Sequence, residues 1–211
     1  MSAQIDNYLR KRGVKGPWGL SPIPNYKFQN IVIIPAYAEL EYIGQTLDSL
    51  SQCEVDSFDD IMVVVVVNNE VDATPQIIAD NKQTLSILTK RKDPFYVAII
   101  DASSEGRSIP KKHAGVGMAR KIGMDLALEF ANPETLLYCL DADSLVSPTY
   151  FSEVQSHFKL NDSVAAVVGF LHIKNKTPNL EKAIREYELF LKNTAMKLKD
   201  AGSPFGYVAM G

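Results

Sequence analysis

The 211-residue chain lacks several features that would mark a specialised class of protein. It has only two cysteines, Cys53 and Cys139, too few for a disulfide-stabilised secreted fold. Its longest apolar run, from Ile61 to Val67, is far shorter than the roughly 20 residues that a membrane-spanning helix needs. The first twelve residues are polar and contain no hydrophobic signal-peptide region. These absences favour a cytoplasmic protein without a transmembrane segment.

A strong excess of charge of either sign is also missing. The formal net charge is −3 and the pI is about 5.7, so no general attraction to nucleic acid or to an anionic membrane surface is expected. Any phosphate ligand must therefore be held by local groups. Hydrophobic residues make up 46% and charged residues 22% of the chain, which is typical of folded proteins. The length fits one α/β domain.

Glycine and proline divide the chain into two parts. They recur between Gly13 and Pro24, which predicts that residues 1–29 form an arm on a domain of residues 30–211. In that domain, β-branched runs alternate with segments of helical period, which indicates an α/β fold with a mostly parallel, doubly wound sheet flanked by helices. The predicted strands are residues 31–34, 61–67, 96–100, 136–140 and 164–172. The second is apolar throughout, which is typical of a central strand.

Helix starts are predicted where a hydroxyl residue precedes a proline. This pattern occurs at Thr74-Pro75, Ser147-Pro148 and Thr177-Pro178. The last of these helices is expected to pack through a stripe of residues spaced three and four apart. The stripe consists of Leu180, Ile184, Tyr187, Leu191, Thr194 and Leu198.

Polar residues follow four of the predicted strands. In chain order these are the segment 35–39, the Asn68-Asn69 pair with Asp72, then Asp101, and finally Asp141 with Asp143. Ligands of open parallel sheets bind at the carboxyl ends of the strands, so these groups are expected to converge at one edge.

Two segments suggest ligands. Asp141 and Asp143 suit a hard divalent cation, Mg²⁺ or Mn²⁺, although turn-forming aspartates at a strand exit would look the same. Lys112 and Gly117 belong to a basic, glycine-containing segment at a helix start, where a diphosphate would be favoured, although such lysines often simply face water.

Four segments, at residues 32–39, 67–74, 117–123 and 140–143, together resemble the family 2 glycosyltransferases in order and spacing. The resemblance covers about residues 30–172. It implies a GT-A fold, a nucleoside-diphosphate sugar donor, a divalent metal and inversion at the anomeric carbon. The implied acceptor is a carbohydrate or lipid-linked hydroxyl of unknown identity, as in cell-envelope polysaccharide synthesis, with peripheral association at the inner face of the membrane.

The resemblance also implies roles for individual residues. Asp141 would hold the ribose and share the metal with Asp143. The implied nucleotide-sugar-binding set is Pro35, Ala36, Tyr37, Glu39, Asn68, Asn69, Asp72, Lys112, Gly117, Arg120 and Asp141.

The chain departs from the family pattern at two points. Asn68 and Asn69 stand where the family usually has aspartates, and an asparagine carbonyl still accepts a hydrogen bond from uracil N3–H. No acidic residue is nominated as the general base. Because residues 207–211 resemble the acceptor-side segment that precedes the base in relatives, the domain is expected to be incomplete at its carboxyl end.

Two alternatives stay open. A nucleotidyltransferase shares the sheet and the metal carboxylates, but its first strand is usually followed by a glycine-rich basic loop, whereas residues 35–39 here are neither. A non-catalytic domain that binds a nucleotide sugar is compatible with the same residues.

Overall fold

A computed structural model describes residues 3–204 and 206–207. The chain forms two compact units, Met1–His157 and Phe158–Gly211. Its regular elements in chain order are α1 (Ala3–Arg12), β1 (Leu20–Ser21), β2 (Phe28–Ala36), α2 (Ile43–Ser51), β3 (Ile61–Asn68), α3 (Pro75–Lys90), β4 (Tyr96–Ala102), α4 (Val116–Ala127), β5 (Ala131–Cys139), α5 (Tyr150–Leu160) and α6 (Pro178–Asp200). Short 3₁₀ turns lie at residues 58–60, 111–113 and 128–130.

The sheet of the first unit has the strand order β1-β4-β3-β2-β5. Strands β4, β3, β2 and β5 are parallel, and the two-residue strand β1 pairs with β4 in the antiparallel direction. Every residue of β3 is buried. The predicted mostly parallel sheet and its central strand at residues 61–67 are therefore confirmed.

Two hydrophobic clusters cover the two faces of the sheet. Because side chains alternate along a strand, Val63 and Val65 belong to the cluster that includes Leu47 of α2, while Met62 and Val64 belong to the other. That second cluster contains residues of α4. Helices on both faces make the fold doubly wound, as predicted.

Helix α4 approaches the sheet closely at Gly123. A Cβ added there would lie 2.5 Å from Ile33 Cγ2 and 2.9 Å from Val66 Cγ2, distances that real Cβ atoms do not adopt. The absence of a side chain at this position therefore allows α4 to pack directly on the middle of the sheet.

Residues 3–29 contain α1 and β1. The buried carboxylate of Asp125 on α4 accepts hydrogen bonds from Tyr8 Oη at 2.9 Å, Val14 N at 2.8 Å and Lys121 Nζ at 2.7 Å. This one carboxylate anchors the middle of α1 and the segment after the helix to α4.

The predicted strand at residues 164–172 is wrong. The structure shows no regular element between α5 and α6, and Val164, Val167 and Val168 of this segment are exposed. A run of β-branched residues forms a strand only where a neighbouring strand accepts its hydrogen bonds, and the described residues offer this segment none.

The predicted helix starts are close to the observed ones. Thr74 caps α3 by accepting a hydrogen bond from Ile77 N, α5 begins two residues after Pro148, and α6 begins at Pro178. None of the helices among the described residues is long and apolar enough to cross a membrane.

The predicted apolar stripe of α6 is only partly correct. Leu180, Tyr187 and Leu198 are exposed, whereas Glu188 and Ala195 are buried. The buried carboxylate of Glu188 accepts hydrogen bonds from His172 N and from Arg185 Nη1, so its charge is compensated within the buried face.

Replacement of Val65 by aspartate is expected to unfold the first unit. Val65 is completely buried in β3, and a carboxylate there would have no partner. The free energy of unfolding should therefore fall by about 3 kcal/mol or more. Urea unfolding followed by circular dichroism measures it. Ile23→Asp is the matched control, because Ile23 is 74% exposed. Equal stabilities of the two variants would contradict the sheet order.

Candidate functional site

The other parallel strands of the sheet lie on both sides of β2. β3 and β4 lie on one side of β2, and β5 lies on the other. The carboxyl ends of β2 and β5 therefore flank a point where the strand order reverses, which is where open α/β sheets bind their ligands. Residues 37–40 follow β2 and residues 140–143 follow β5 at this point.

The loop after β2 has an unusual backbone conformation. Ala38 has a φ of 57°, a left-handed value that costs a non-glycine residue about 1 kcal/mol. Its N–H donates to Asn81 Oδ1 at 3.0 Å. Beside it, the Tyr37 hydroxyl donates to Glu70 Oε1 at 3.0 Å, which joins the loop after β2 to the loop after β3.

The Asn68-Asn69 pair at the end of β3 is buried. Asn69 Nδ2 donates to Glu70 O at 2.8 Å and to Ser108 Oγ at 3.2 Å, and Asn69 Oδ1 accepts from Asn81 Nδ2 at 2.9 Å. The amide of Asn69 is therefore engaged on all sides. Asn68 Oδ1, in contrast, is buried with no hydrogen-bond partner among the described residues.

The Asp141-Ala142-Asp143 segment forms a turn after β5. Ser144 N donates to Asp141 O at 3.1 Å, and Arg120 Nη2 donates to Asp141 Oδ1 at 2.5 Å. The Nε of Arg120 is buried and, in the part of the chain that the structure describes, has no partner. The side chain of Asp143 is exposed.

Helix α2 fixes the position of this turn. The hydroxyl of the fully buried Thr46 donates to Ala142 O at 2.6 Å. One helical turn later, Ser49 Oγ accepts from Val146 N at 3.2 Å. Because the two hydroxyls lie on one face of α2, they hold successive parts of the loop against the helix.

The carboxylates at this edge repel one another. Burial, followed by the negative charges of Asp143, Asp80 and Asp141, raises the pKa of Glu39. Such crowding favours a bound cation, and Mg²⁺ or Mn²⁺ takes oxygen ligands of this kind. In residues 3–204 and 206–207, no group of three or more His, Cys, Asp or Glu side chains forms a metal site by itself. A cation here would need further oxygens from a bound ligand or water.

Basic residues lie at the start of α4. Gly115, with a φ of 141°, precedes the helix in a conformation that favours glycine. Lys111 Nζ donates to Asp72 Oδ2 at 2.5 Å, which lowers the pKa of Asp72. Lys112 and Gly117 are exposed. The helix start and its cations are therefore accessible to an anion.

Asp101, which was expected directly after the third predicted strand, is the second-last residue of β4, and its side chain bonds to the turn that follows. Its carboxylate accepts hydrogen bonds from Ser103 N, Ser103 Oγ and Ser104 N at 3.0 to 3.1 Å. Burial alone would raise the pKa of Asp101, but these hydrogen bonds lower it below its usual value.

The sequence model of glycosyl transferase family 2 matches residues 31–210. The chain belongs to this family. The match begins in β2 and contains every strand of the parallel sheet together with the segments that converge at its carboxyl edge. The GT-A fold expected from the sequence is the fold of this family. A search of curated proteins finds no match.

Solved structures similar to this member of family 2 include those of S. aureus TarS. The crystal structure of TarS 1-349 is 21% identical, with 71% of this chain and 40% of that chain covered and a TM-score of 0.46. Its complex with UDP-GlcNAc is 20% identical, with 71% and 39% covered and a TM-score of 0.45. Its complex with UDP is 18% identical, with 71% and 40% covered and a TM-score of 0.47. The chain thus spans about 40% of the length of these proteins.

Sequence reasoning missed the residues that support the site from neighbouring helices. Thr46 on α2 and Asn81 on α3 contact the turn after β5 and the loops after β2 and β3. The signal for Asn81 was present, because Asn81, Thr84 and Leu88 share the buried face of α3. A polar residue on such a face must have a partner, but the sequence does not say which.

Replacement of Thr46 by valine should lower the free energy of unfolding by about 1–2 kcal/mol, because the shape is kept while the carbonyl of Ala142 loses its donor. Urea unfolding measures the change. Thr84→Val is the matched control: Thr84 is also fully buried on a helix, but among the residues that the structure describes its hydroxyl bonds only to Asp80 of that helix, at 3.5 Å. A loss no larger than that of the control would show that the Ala142 contact is not stabilising.

Proposed function

We propose that this family 2 chain binds a nucleoside-diphosphate sugar at the carboxyl edge of its sheet and serves as an inverting, metal-dependent glycosyltransferase. One observation carries the proposal: two buried polar atoms have no partner among the described residues, Asn68 Oδ1 on the last residue of β3 and Arg120 Nε on α4. Buried polar groups are normally satisfied by protein, water or a ligand, and a ligand at this edge would satisfy these two atoms. The UDP and UDP-GlcNAc complexes of TarS show ligands of this class in a similar protein.

The nucleoside would lie against the loops after β2 and β3. Residues 37–39 would form one wall, with Tyr37 joined to Glu70 across the two loops. Pro35 and Ala36, which the sequence predicted as contacts of the nucleoside, are buried at the end of β2. Tyr37 is 40% exposed, so the face of its ring is available for stacking. Asn68 Oδ1 would accept an N–H from the edge of the base, as uracil N3–H offers.

The ribose and diphosphate would lie between β5 and the start of α4. Asp141, held by Arg120, presents a carboxylate to the ribose hydroxyls. Lys112, Gly117 and the first turn of α4 would face the phosphates, where helix N–H groups and cations favour negative charge. Asp72 belongs to the same edge through its ion pair with Lys111.

The residues at the turn after β5 fit a divalent metal. Asp143 supplies an exposed carboxylate next to Asp141, and the crowded charge around Glu39 would be relieved by a cation. When bound, Mg²⁺ or Mn²⁺ would stabilise the negative charge of the departing diphosphate. Asp143 and Asp141 would hold it, with donor phosphates and water as the remaining ligands.

Inversion requires that an acceptor hydroxyl attack the anomeric carbon from the face opposite the diphosphate while a base removes its proton. The carboxylate of Asp101 is engaged by Ser103 and Ser104 and is not assigned to that task. The proposal therefore assigns donor binding to the described residues and leaves the base and the acceptor, a carbohydrate or a lipid-linked sugar, unassigned.

A non-catalytic domain that binds a nucleotide sugar is the competing function. It uses the same donor site, so binding alone does not separate the two. Donor consumption with a panel of sugar and lipid-linked acceptors does, because only an enzyme releases nucleoside diphosphate in proportion to acceptor. Release that no acceptor accelerates would favour the binding domain.

Replacement of Asp143 by asparagine should weaken manganese-dependent binding of a nucleoside diphosphate by about tenfold or more, because it removes a charge from a cation site with few protein ligands. Calorimetry with the diphosphates of uridine, guanosine and thymidine, with and without manganese, measures this. Asp162→Asn, a change of the same charge in the exposed segment after α5, is the control. Equal affinities of wild type and Asp143→Asn would show that residues 141–143 are only a turn.

A further inference from the structure

Asn81 occupies a position that no apolar packing argument explains. It lies on α3, is 1% exposed, and carries a polar amide into the buried face of that helix. A buried amide is costly unless its donors and its acceptor are all used. In this chain they are used by two different loops.

The contacts of Asn81 define its orientation. Its Nδ2 donates to Asn68 O at 3.0 Å and to Asn69 Oδ1 at 2.9 Å, both at the end of β3. Its Oδ1 accepts from Ala38 N at 3.0 Å, in the loop after β2. Since a backbone carbonyl only accepts and a backbone N–H only donates, the amide group cannot be reversed without losing these bonds.

Each of these hydrogen bonds fixes the conformation of a residue at the site. Ala38 is held in a left-handed conformation that alanine disfavours, and the acceptor for its N–H is supplied by Asn81. Asn69 is turned so that its Oδ1 meets Asn81 while its Nδ2 serves Glu70 and Ser108. With Asn69 engaged in this way, Asn68 Oδ1 is the buried side-chain atom of the pair that stays unpartnered among the described residues.

We propose that Asn81 is a positioning residue that holds the loops after β2 and β3 in register for the nucleoside part of the donor. It acts through Ala38, Asn68 and Asn69 and does not touch the ligand. The inference rests on the proposed function, because the register of these loops affects binding only if a nucleoside lies between them. Asn81 would thereby determine which side-chain oxygen the Asn68-Asn69 pair offers to the nucleoside.

The test compares UDP with inorganic pyrophosphate, both measured by calorimetry in the presence of manganese. Asn81→Ala should weaken UDP binding by about tenfold, because two loops lose buried hydrogen bonds, and should leave pyrophosphate binding unchanged. The contacts of Asn81 all lie on the nucleoside side, whereas Lys111 and Arg120 lie elsewhere. Gln83→Ala, an exposed position on the same helix, is the matched control and should bind both ligands like wild type.

A second measurement follows the loop itself. Hydrogen exchange of the Ala38 amide should become faster in Asn81→Ala, while exchange in the first turns of α3 stays as in Gln83→Ala. If Asn81→Ala does not fold, Asn81→Asp takes its place: it keeps the size of the side chain and the acceptor for Ala38 N, but it loses both donors to β3. This variant should also lose UDP affinity selectively.

The outcomes separate the two levels of the proposal. Unchanged UDP affinity in the variants, or an equal loss for UDP and pyrophosphate, would overturn the positioning role while leaving the donor site intact. A wild-type chain that binds neither UDP, nor the guanosine and thymidine diphosphates, would instead overturn the proposed function and the role of Asn81 with it.

Discussion

Backbone pairing holds β2 between β3 and β5, and every feature of the candidate site depends on this arrangement. Parallel pairing runs from Asn30 with Ile61 to Ala36 with Val67 on one side, and reaches Ile33 with Cys139 on the other. Because the three strands run in the same direction, their carboxyl ends lie at one edge. The loops that carry Tyr37, the Asn68-Asn69 pair and Asp141 are therefore neighbours although they are far apart in the chain.

The helices do more than cover the sheet. Each of three helices contributes a polar group to the edge: Thr46 from α2, Asn81 from α3 and Arg120 from α4. In two of these cases the group is completely or almost completely buried, so its hydrogen bond is made away from water and constrains the loop that it reaches. The same elements that form the hydrophobic core thus determine the positions of the loops.

Charge at the edge is balanced locally. Arg120 is paired with Asp141, and Lys111 with Asp72, while Glu39 and Asp143 are left beside other carboxylates. This pattern places compensated and uncompensated negative charge side by side. It agrees with a site that binds a cation and a diphosphate together, because the positive cation would offset both the carboxylates and the negative diphosphate.

The amino-acid sequence alone was sufficient for the fold class, the central strand at residues 61–67 and the family, because β-branched runs, helix caps and the order of short motifs are local properties. It failed at residues 164–172, where strand composition lacks a pairing partner, and along α6, where Glu188 is buried by hydrogen bonds that the apolar pattern does not contain. Only the tertiary structure showed that Asn81 and Thr46 support the site and that Asn68, rather than Asn69, keeps an unpartnered oxygen. Hydrogen bonds between residues distant in the chain decide these points, and such partners are not encoded in local sequence.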